Sequence, residues 1–506
     1  MNSFMNAMKN TSNYKYTENG ALAHKTTNSA VYDMFALGGA YRSRSNEDVI
    51  LLFKNALAEN TLLAMKCLFY LRDCRGGQGE RRFFRIAYKW LCNYDPLLAK
   101  KNLHLLSEYG RWDDLLYCTV GTPMEGRALD IIKKQLILDI DCKTPSLLAK
   151  WLPSENASSE KTKWLAKVVR KTMGLTSKEY RKTLSVLRKR INIVERLMSE
   201  NRWDEIEFDK IPSKAGLIYK NAFARRDLIA KKYEAFAKSK STKVNASTLY
   251  PYEVVNKVTR AESWRGPQLS DTDRAMIEKY WENLPDYFNG DDSSIMCVVD
   301  TSGSMTWSGS GTKPIDVAIS LGMYCAERNK GPFKDHYISF SSRPQLIHIA
   351  GADFVDKVHR IYETNLCENT DLPAVFNLLK KMALRSDVNP ADLPKTIVVI
   401  SDMEIDSGSR AFGCYDSNRY KGWTHETAAT EMERIRQEWA WEGLKLPKLV
   451  YWNVNARNDT ILDSGPNVSF VSGCSPTLFK QVITGKTGYD LMLEAITSER
   501  YKPIKV

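Results

Sequence analysis

Residues 295–306 read IMCVVDTSGSMT, an apolar run that closes on Asp300 and opens into the spaced hydroxyls of Ser302 and Ser304. Five consecutive apolar residues without alternation suit a strand buried on both faces, as in a parallel sheet covered by helices. A second run, TIVVI at 396–400, closes in the same way on SDMEID, which contains Asp402. Further strands are expected at 336–340, 346–349 and 449–454, and helices at 314–327, 372–385 and 426–442. That alternation predicts a doubly wound, mostly parallel sheet, whose binding site lies at the carboxyl ends of the strands. Asn369-Thr370-Asp371 precedes one of the expected helices, so Thr370 falls at the same edge.

The residue types at that edge point to a cation. Two carboxylates and three hydroxyls form the hard-oxygen shell that Mg²⁺ or Mn²⁺ prefers, and Ca²⁺ is a further candidate. Asp300, Ser302, Ser304, Thr370 and Asp402 are the candidate ligands, with Asp402 acting directly or through water and one coordination position left open. Glu404 and Asp406 offer alternative oxygens. The set resembles the metal-ion-dependent adhesion site of von Willebrand factor A domains, whose order is DxSxS, then Thr, then Asp. The resemblance implies an A-type domain over residues 291–506, whose metal takes an acidic side chain from a protein partner and does no catalysis. The competing interpretation is the same fold with a purely structural acid cluster.

Working outward, the chain has 506 residues, too many for one compact core. Its hydrophobic fraction of 43% and charged fraction of 26% are those of a folded protein. The ten cysteines form no CxxC pair and predict reduced thiols in a cytoplasmic protein. The polar first twenty residues lack the apolar core of a signal peptide, and no run of about eighteen apolar residues is long enough to span a bilayer, so no membrane association is expected.

Charge divides the chain unevenly. Residues 291–506 hold 24 lysines and arginines against 27 acidic residues, a net −3, and residues 1–290 hold 49 against 33, a net +16. A surplus confined to one part implies a polyanionic partner better than overall charge does. In that part, residues 1–45 have little periodicity and are expected to be an irregular arm. Residues 46–290 read as a basic α-helical repeat domain. Asn46 and Asn60 are candidate caps, the glycines of CRGGQG (74–79) a helix stop, and Asp95-Pro96 a break. At 180–198 a helix is expected with Leu184, Leu187, Ile191, Val194 and Met198 on its apolar face and Arg181, Lys182, Arg188, Lys189 and Arg190 off it. Short turns between such helices suggest a HEAT-like antiparallel solenoid, with the domain boundary at DYFNGDDSS, 286–294.

A basic helical half followed by an A domain resembles the Ro autoantigen and its bacterial relatives, the TROVE-domain proteins. LRDCRGGQGERR, EYGRWDDLL, SLLAKWLPSENAS and IPSKAG more closely resemble segments of the family called domain of unknown function 2828. The Ro resemblance implies helical repeats closed into a ring, with small structured RNA on the outer surface and single-stranded RNA ends in the hole. From chemistry alone, Arg72, Arg75, Arg81 and Arg82 flank a glycine-rich junction whose amides suit phosphate, and Lys161, Lys163, Lys167 and Arg170 recur at helical spacing near Trp164. The alternative for each is a solvated helix face, and Trp112 suits the core better than a stacking platform.

No enzyme is expected. RGGQGE is not followed by Lys-Ser/Thr, GSGTK lacks the spacing of a phosphate loop, the six histidines form no HExxH, and VVDTSGSM is not GxSxG. The expected function is an RNA-binding ribonucleoprotein subunit, whose Mg²⁺-dependent A domain recruits an acidic protein partner. The rival is a protein-interaction scaffold without RNA.

Overall fold

The computed structural model describes residues 13–191, 193–260, 269–288, 294–307, 311–364, 369–406, 430–463 and 465–506. Part of the boundary expected at 286–294, the start of the helix expected at 426–442 and the first twelve residues of the expected arm lie outside them. The chain divides into two compact units, and neither is one continuous segment. Unit 1 gathers Met1–Cys67, Tyr250–Ser270 and Leu284–Ser498, and unit 2 gathers Leu68–Leu249, Asp271–Asn283 and Glu499–Val506. These divisions differ from the expected boundaries at 45/46 and 290/291.

Unit 1 is built on a six-stranded sheet. After the short strands β1 (Tyr14–Tyr16) and β2 (Leu22–His24) come β3 (Ile295–Asp300), β4 (His336–Phe340), β5 (Leu346–His348), β6 (Thr396–Ser401), β7 (Lys448–Asn453) and β8 (Val468–Ser472). The last six are ordered β5-β4-β3-β6-β7-β8, with every pairing parallel except β4 with β5. Counted within the sheet this is the doubly wound order 3-2-1-4-5-6, here with an antiparallel edge, and the unit is von Willebrand factor A-like. Every residue of β3 and β6 is buried, which is why these strands read as continuous apolar runs. The helix Pro314–Arg328 lies so close to β3 that a Cβ on Gly322 would sit 2.5 Å from the Val299 side chain.

Residues 13–45, expected to be an irregular arm, instead form regular structure in this unit. β1 and β2 pair as an antiparallel hairpin, and the helix Ala30–Gly38 packs on β8. The Phe470 amide donates to the Tyr32 hydroxyl at 2.7 Å, and the Gly39 amide donates to Ser472 Oγ at 3.0 Å. The helix reads AVYDMFALG and is buried nearly all round, so it has no polar face to give a periodic signal. Strand β8 and the helix Phe354–Thr364 were also not expected from the sequence.

In unit 2 all regular structure among the described residues is helical, as expected. The helix Thr61–Arg72 begins in unit 1 and runs into unit 2, and Asn60 Oδ1 caps it by accepting from the Leu63 amide at 3.0 Å. Within unit 1, the cap of Asn46–Glu59 is Ser45 in a capping box with Asp48, one residue before the expected Asn46. The helix expected at 180–198 is two, Ser177–Arg190 and Val194–Ser199. Leu184, Leu187 and Val194 are buried, whereas Ile191 and Met198 are half-exposed. Arg188 is not a solvated residue: it donates to the carbonyls of Ala149 and Leu152 and to Ser154 Oγ at 2.9–3.0 Å.

The end of the chain completes unit 2. Asp73, fully buried, takes the guanidinium of Arg500 and the hydroxyl of Tyr501, the latter at 3.0 Å. Asn102 and Lys505 exchange two hydrogen bonds at 2.7 and 2.9 Å.

Candidate metal centre and basic surface

Parallel pairing of β3 with β6, with Val299 opposite Ile400, brings Asp300 and the Ser401-Asp402 pair to one edge. The strand order reverses between these two strands, and such reversal points are where doubly wound sheets bind ligands. Both carboxylates are fully buried. Asp300 Oδ1 accepts from the Ser302 amide at 2.9 Å, and Oδ2 accepts from Ser401 Oγ at 2.6 Å. The hydroxyls of Ser302 and Ser304 lie 3.1 Å apart, and the Glu404 amide donates to Asp402 Oδ1 at 3.2 Å. Met403 takes φ +67°, a left-handed conformation that a non-glycine residue rarely adopts, so the backbone here is strained at the site.

Thr370 joins through the loop, not through Asp300. Its hydroxyl donates to the Glu404 carbonyl at 3.3 Å, and its amide donates to Asp406 Oδ2 at 3.0 Å. Glu404 faces elsewhere: its carboxylate accepts from the Glu18 amide, Asn458 and Thr460 at 2.7–3.3 Å. Arg457, which carries no motif and was missed in the sequence, places Nη2 3.1 Å from Asp402 Oδ2. Although that contact is an ion pair, Asp402 Oδ2 receives no aligned hydrogen bond.

Burial raises the pKa of Asp402, and the neighbouring Asp300 carboxylate raises it further, against the opposing pull of Arg457. Burial likewise raises Asp300, against hydrogen bonds from Ser401 and Ser302. Two buried carboxylates that disfavour each other's charge, one with an unsatisfied oxygen, beside two hydroxyls, fit a small divalent cation. Asp300, Ser302, Ser304 and Asp402 would hold it, with Thr370 a neighbouring hydroxyl. Among the described residues no group of three or more His, Cys, Asp or Glu is placed to hold a metal, and this set relies on hydroxyls for the rest of its shell.

The basic candidates of unit 2 separate into two kinds. Arg72 is buried and paired with Asp114 at 2.7 Å, so it is a core residue. Three amides of the glycine-rich junction are turned inward and not toward a phosphate: Gly77 and Gly79 donate to the Asp73 carbonyl, and Gln78 donates to that of Tyr70. A Cβ on Gly77 would lie 2.0 Å from the Tyr70 oxygen, which explains the glycine. Arg75 donates to the Glu108 carbonyl, Lys163 pairs with Glu160 at 2.6 Å, and Arg170 pairs with Glu155 at 2.8 Å. Arg82 is half-exposed, Arg81, Lys161 and Lys167 are exposed, and Trp164 is 51% exposed.

Around Arg81 the cations outnumber the acids. Among the described residues, the three arginines Arg72, Arg85 and Arg111 share the two acids Asp113 and Asp114. Arg85 and Lys161 lie over the Tyr117 ring at 4.1 and 5.4 Å, and Arg111 and Lys150 lie over Trp151 at 4.0 and 5.7 Å. Although Arg81 reaches solvent, partial burial, then the like charges of Arg111 and Arg85, lower the pKa of its guanidinium. Arg85, Lys150, Tyr117 and Trp151 were not singled out in the sequence. Trp112 is half-buried at the start of its helix. Unit 2 as a whole carries 42 lysines and arginines against 26 acidic residues, so it holds the +16 surplus, and unit 1, with 31 against 34, is −3.

Fold and site together define the class: a protein with a basic all-helical unit and a von Willebrand factor A-like unit bearing an acid-and-hydroxyl edge. Residues 17–120 and 171–289 match the family model described as domain of unknown function 2828, and residues 294–501 match that described as domain of unknown function 7788. The chain is 28% identical over 520 aligned residues to an uncharacterized protein of Acanthamoeba polyphaga mimivirus, spanning 94% of this chain and 85% of that one. The crystal structure of the Ro (RSR) protein of Deinococcus radiodurans aligns over 94% of this chain and 93% of its own, at a TM-score of 0.37 and 13% identity.

Proposed function

We propose that this protein is an RNA-binding subunit of a ribonucleoprotein, in which the basic helical unit holds RNA through its phosphates. In the same reading, the A-like unit uses Mg²⁺ at Asp300, Ser302, Ser304 and Asp402, with Thr370 nearby, to capture an acidic side chain of a protein partner. The observation that carries the RNA assignment is the confinement of the whole positive surplus to unit 2, with Arg81 and Lys161 exposed beside the cation-covered rings of Tyr117 and Trp151. Cations over aromatic faces suit a flexible polyanion that offers both phosphates and bases. No catalytic role is assigned to any residue.

A scaffold without RNA is the second reading. It is favoured by the helix Glu125–Asp141, which exposes Ile137, Leu138 and Ile140 at 44–63%. A reproducible RNA that copurifies from the native cell, and is lost from the triple variant Arg81→Glu, Lys161→Glu, Lys167→Glu but kept in Asp300→Ala, supports the first reading. Nucleic-acid-free protein under gentle salt overturns it in favour of the second.

A further inference from the structure

Arg457 sits between two carboxylates. Its Nη2 is 3.1 Å from Asp402 Oδ2, and its Nη1 is 2.7 Å from Glu18 Oε2, in the turn that joins β1 to β2. The backbone of Arg457 is pinned, since its carbonyl accepts from Arg44 Nη1 at 2.6 Å. Its Nε is buried without a hydrogen-bond partner, so the guanidinium offers one nitrogen to each acid and leaves the third unused. The same turn clamps the loop after β6. Thr17 Oγ1 donates to the Ile405 carbonyl at 2.8 Å and Asn19 Nδ2 to the Glu404 carbonyl at 2.7 Å, while Asn458, next to Arg457, donates Nδ2 to Glu18 Oε1 at 2.9 Å. Gly20 also forms a bridge with Asp406.

We propose that Arg457 is a resident counter-cation of Asp402 that competes with a divalent metal there, and that Glu18 draws it away when metal binds. The inference rests on the metal reading above. When both are ionised, Asp300 and Asp402 supply a charge of −2, which Arg457 reduces to −1, so a divalent cation meets weaker attraction and a like charge a few ångströms away. A bound metal repels the guanidinium toward Glu18, which strengthens its grip on the N-terminal turn. By linkage, whatever weakens the Glu18 contact returns Arg457 to Asp402 and weakens the metal. Metal occupancy and the hold of the β1–β2 hairpin are therefore coupled through one side chain.

The test is Mn²⁺ binding to the full-length protein, with free Mn²⁺ measured by electron paramagnetic resonance. Arg457→Gln is expected to bind Mn²⁺ about tenfold more tightly than the parent, and Glu18→Gln about threefold more weakly. Arg457→Lys, which keeps the charge but not the two-pronged reach, is expected to bind Mn²⁺ more weakly than Arg457→Gln. Opposite signs for the two neutralising variants exclude general damage to the fold, which weakens binding in both. Unchanged or weaker binding in Arg457→Gln, while Asp300→Ala abolishes binding, overturns the proposal and leaves the metal site standing. Binding that survives Asp300→Ala overturns the metal site and the proposal with it.

Discussion

Asp114 shows what one residue does in unit 2. It is fully buried and accepts from Arg72 Nε and Nη2, Arg85 Nε and the Arg111 amide, all within 2.9 Å. The turn before it is shaped to fit, since a Cβ on Gly110 would lie 2.2 Å from its Oδ2. Asp114→Asn leaves a buried guanidinium uncompensated and is expected to cost about 3 kcal/mol or more in urea unfolding, whereas an unchanged midpoint contradicts the arrangement. The motif GRWDDLL was visible in the sequence, but its purpose was not. Nothing local distinguishes an aspartate that gathers distant arginines from one that faces water. Arg72 shows the converse: a basic residue beside a glycine-rich turn looks like a phosphate ligand until Asp114, 42 positions away, is placed against it.

At the scale of elements, the strands of the metal edge were the most legible part of the chain. β3, β4 and β6 lie within a residue of their expected bounds because strands buried on both faces leave continuous apolar runs. The hairpin β1–β2, the helix Ala30–Gly38 and the last eight residues were not legible, because each is held by partners hundreds of positions away. Deleting residues 499–506 strips buried Asp73 of Arg500 and Tyr501, and is expected to destabilise the helical unit by about 3–5 kcal/mol, read as early loss of helical circular dichroism on heating. Adding millimolar Mg²⁺ or Mn²⁺ is expected to raise the melting temperature of the parent by a few degrees but not that of Asp300→Ala, because a ligand bound only by the folded state stabilises it by mass action. An equal rise in both argues that the cation acts elsewhere.

At the scale of the molecule, charge is sorted by unit. The surplus of 16 that the sequence places before residue 291 is the surplus of unit 2, although that unit omits residues 1–67 and includes the chain's end. The sorting was legible because charge needs no partner to be counted. Which cations face solvent was not: of the eight nominated residues, Arg72 is buried in an ion pair, Arg75, Lys163 and Arg170 are engaged with neighbouring acceptors, Arg82 is half-exposed, and Arg81, Lys161 and Lys167 are exposed. Among the described residues no helix is long and apolar enough to cross a membrane. A phosphate-bound polyanion releases counterions, so each contact adds roughly 0.7 to the slope of log affinity against log salt for a single strand. The most direct measurement is the affinity of the full-length protein for a fluorescent single-stranded RNA of about twenty nucleotides, by anisotropy from 50 to 300 mM KCl. A linear slope of about −3 or steeper, reduced by roughly two in Arg81→Glu, Lys161→Glu, Lys167→Glu, is the expected result. A slope near zero, or one that the triple variant leaves unchanged, contradicts RNA binding by this unit.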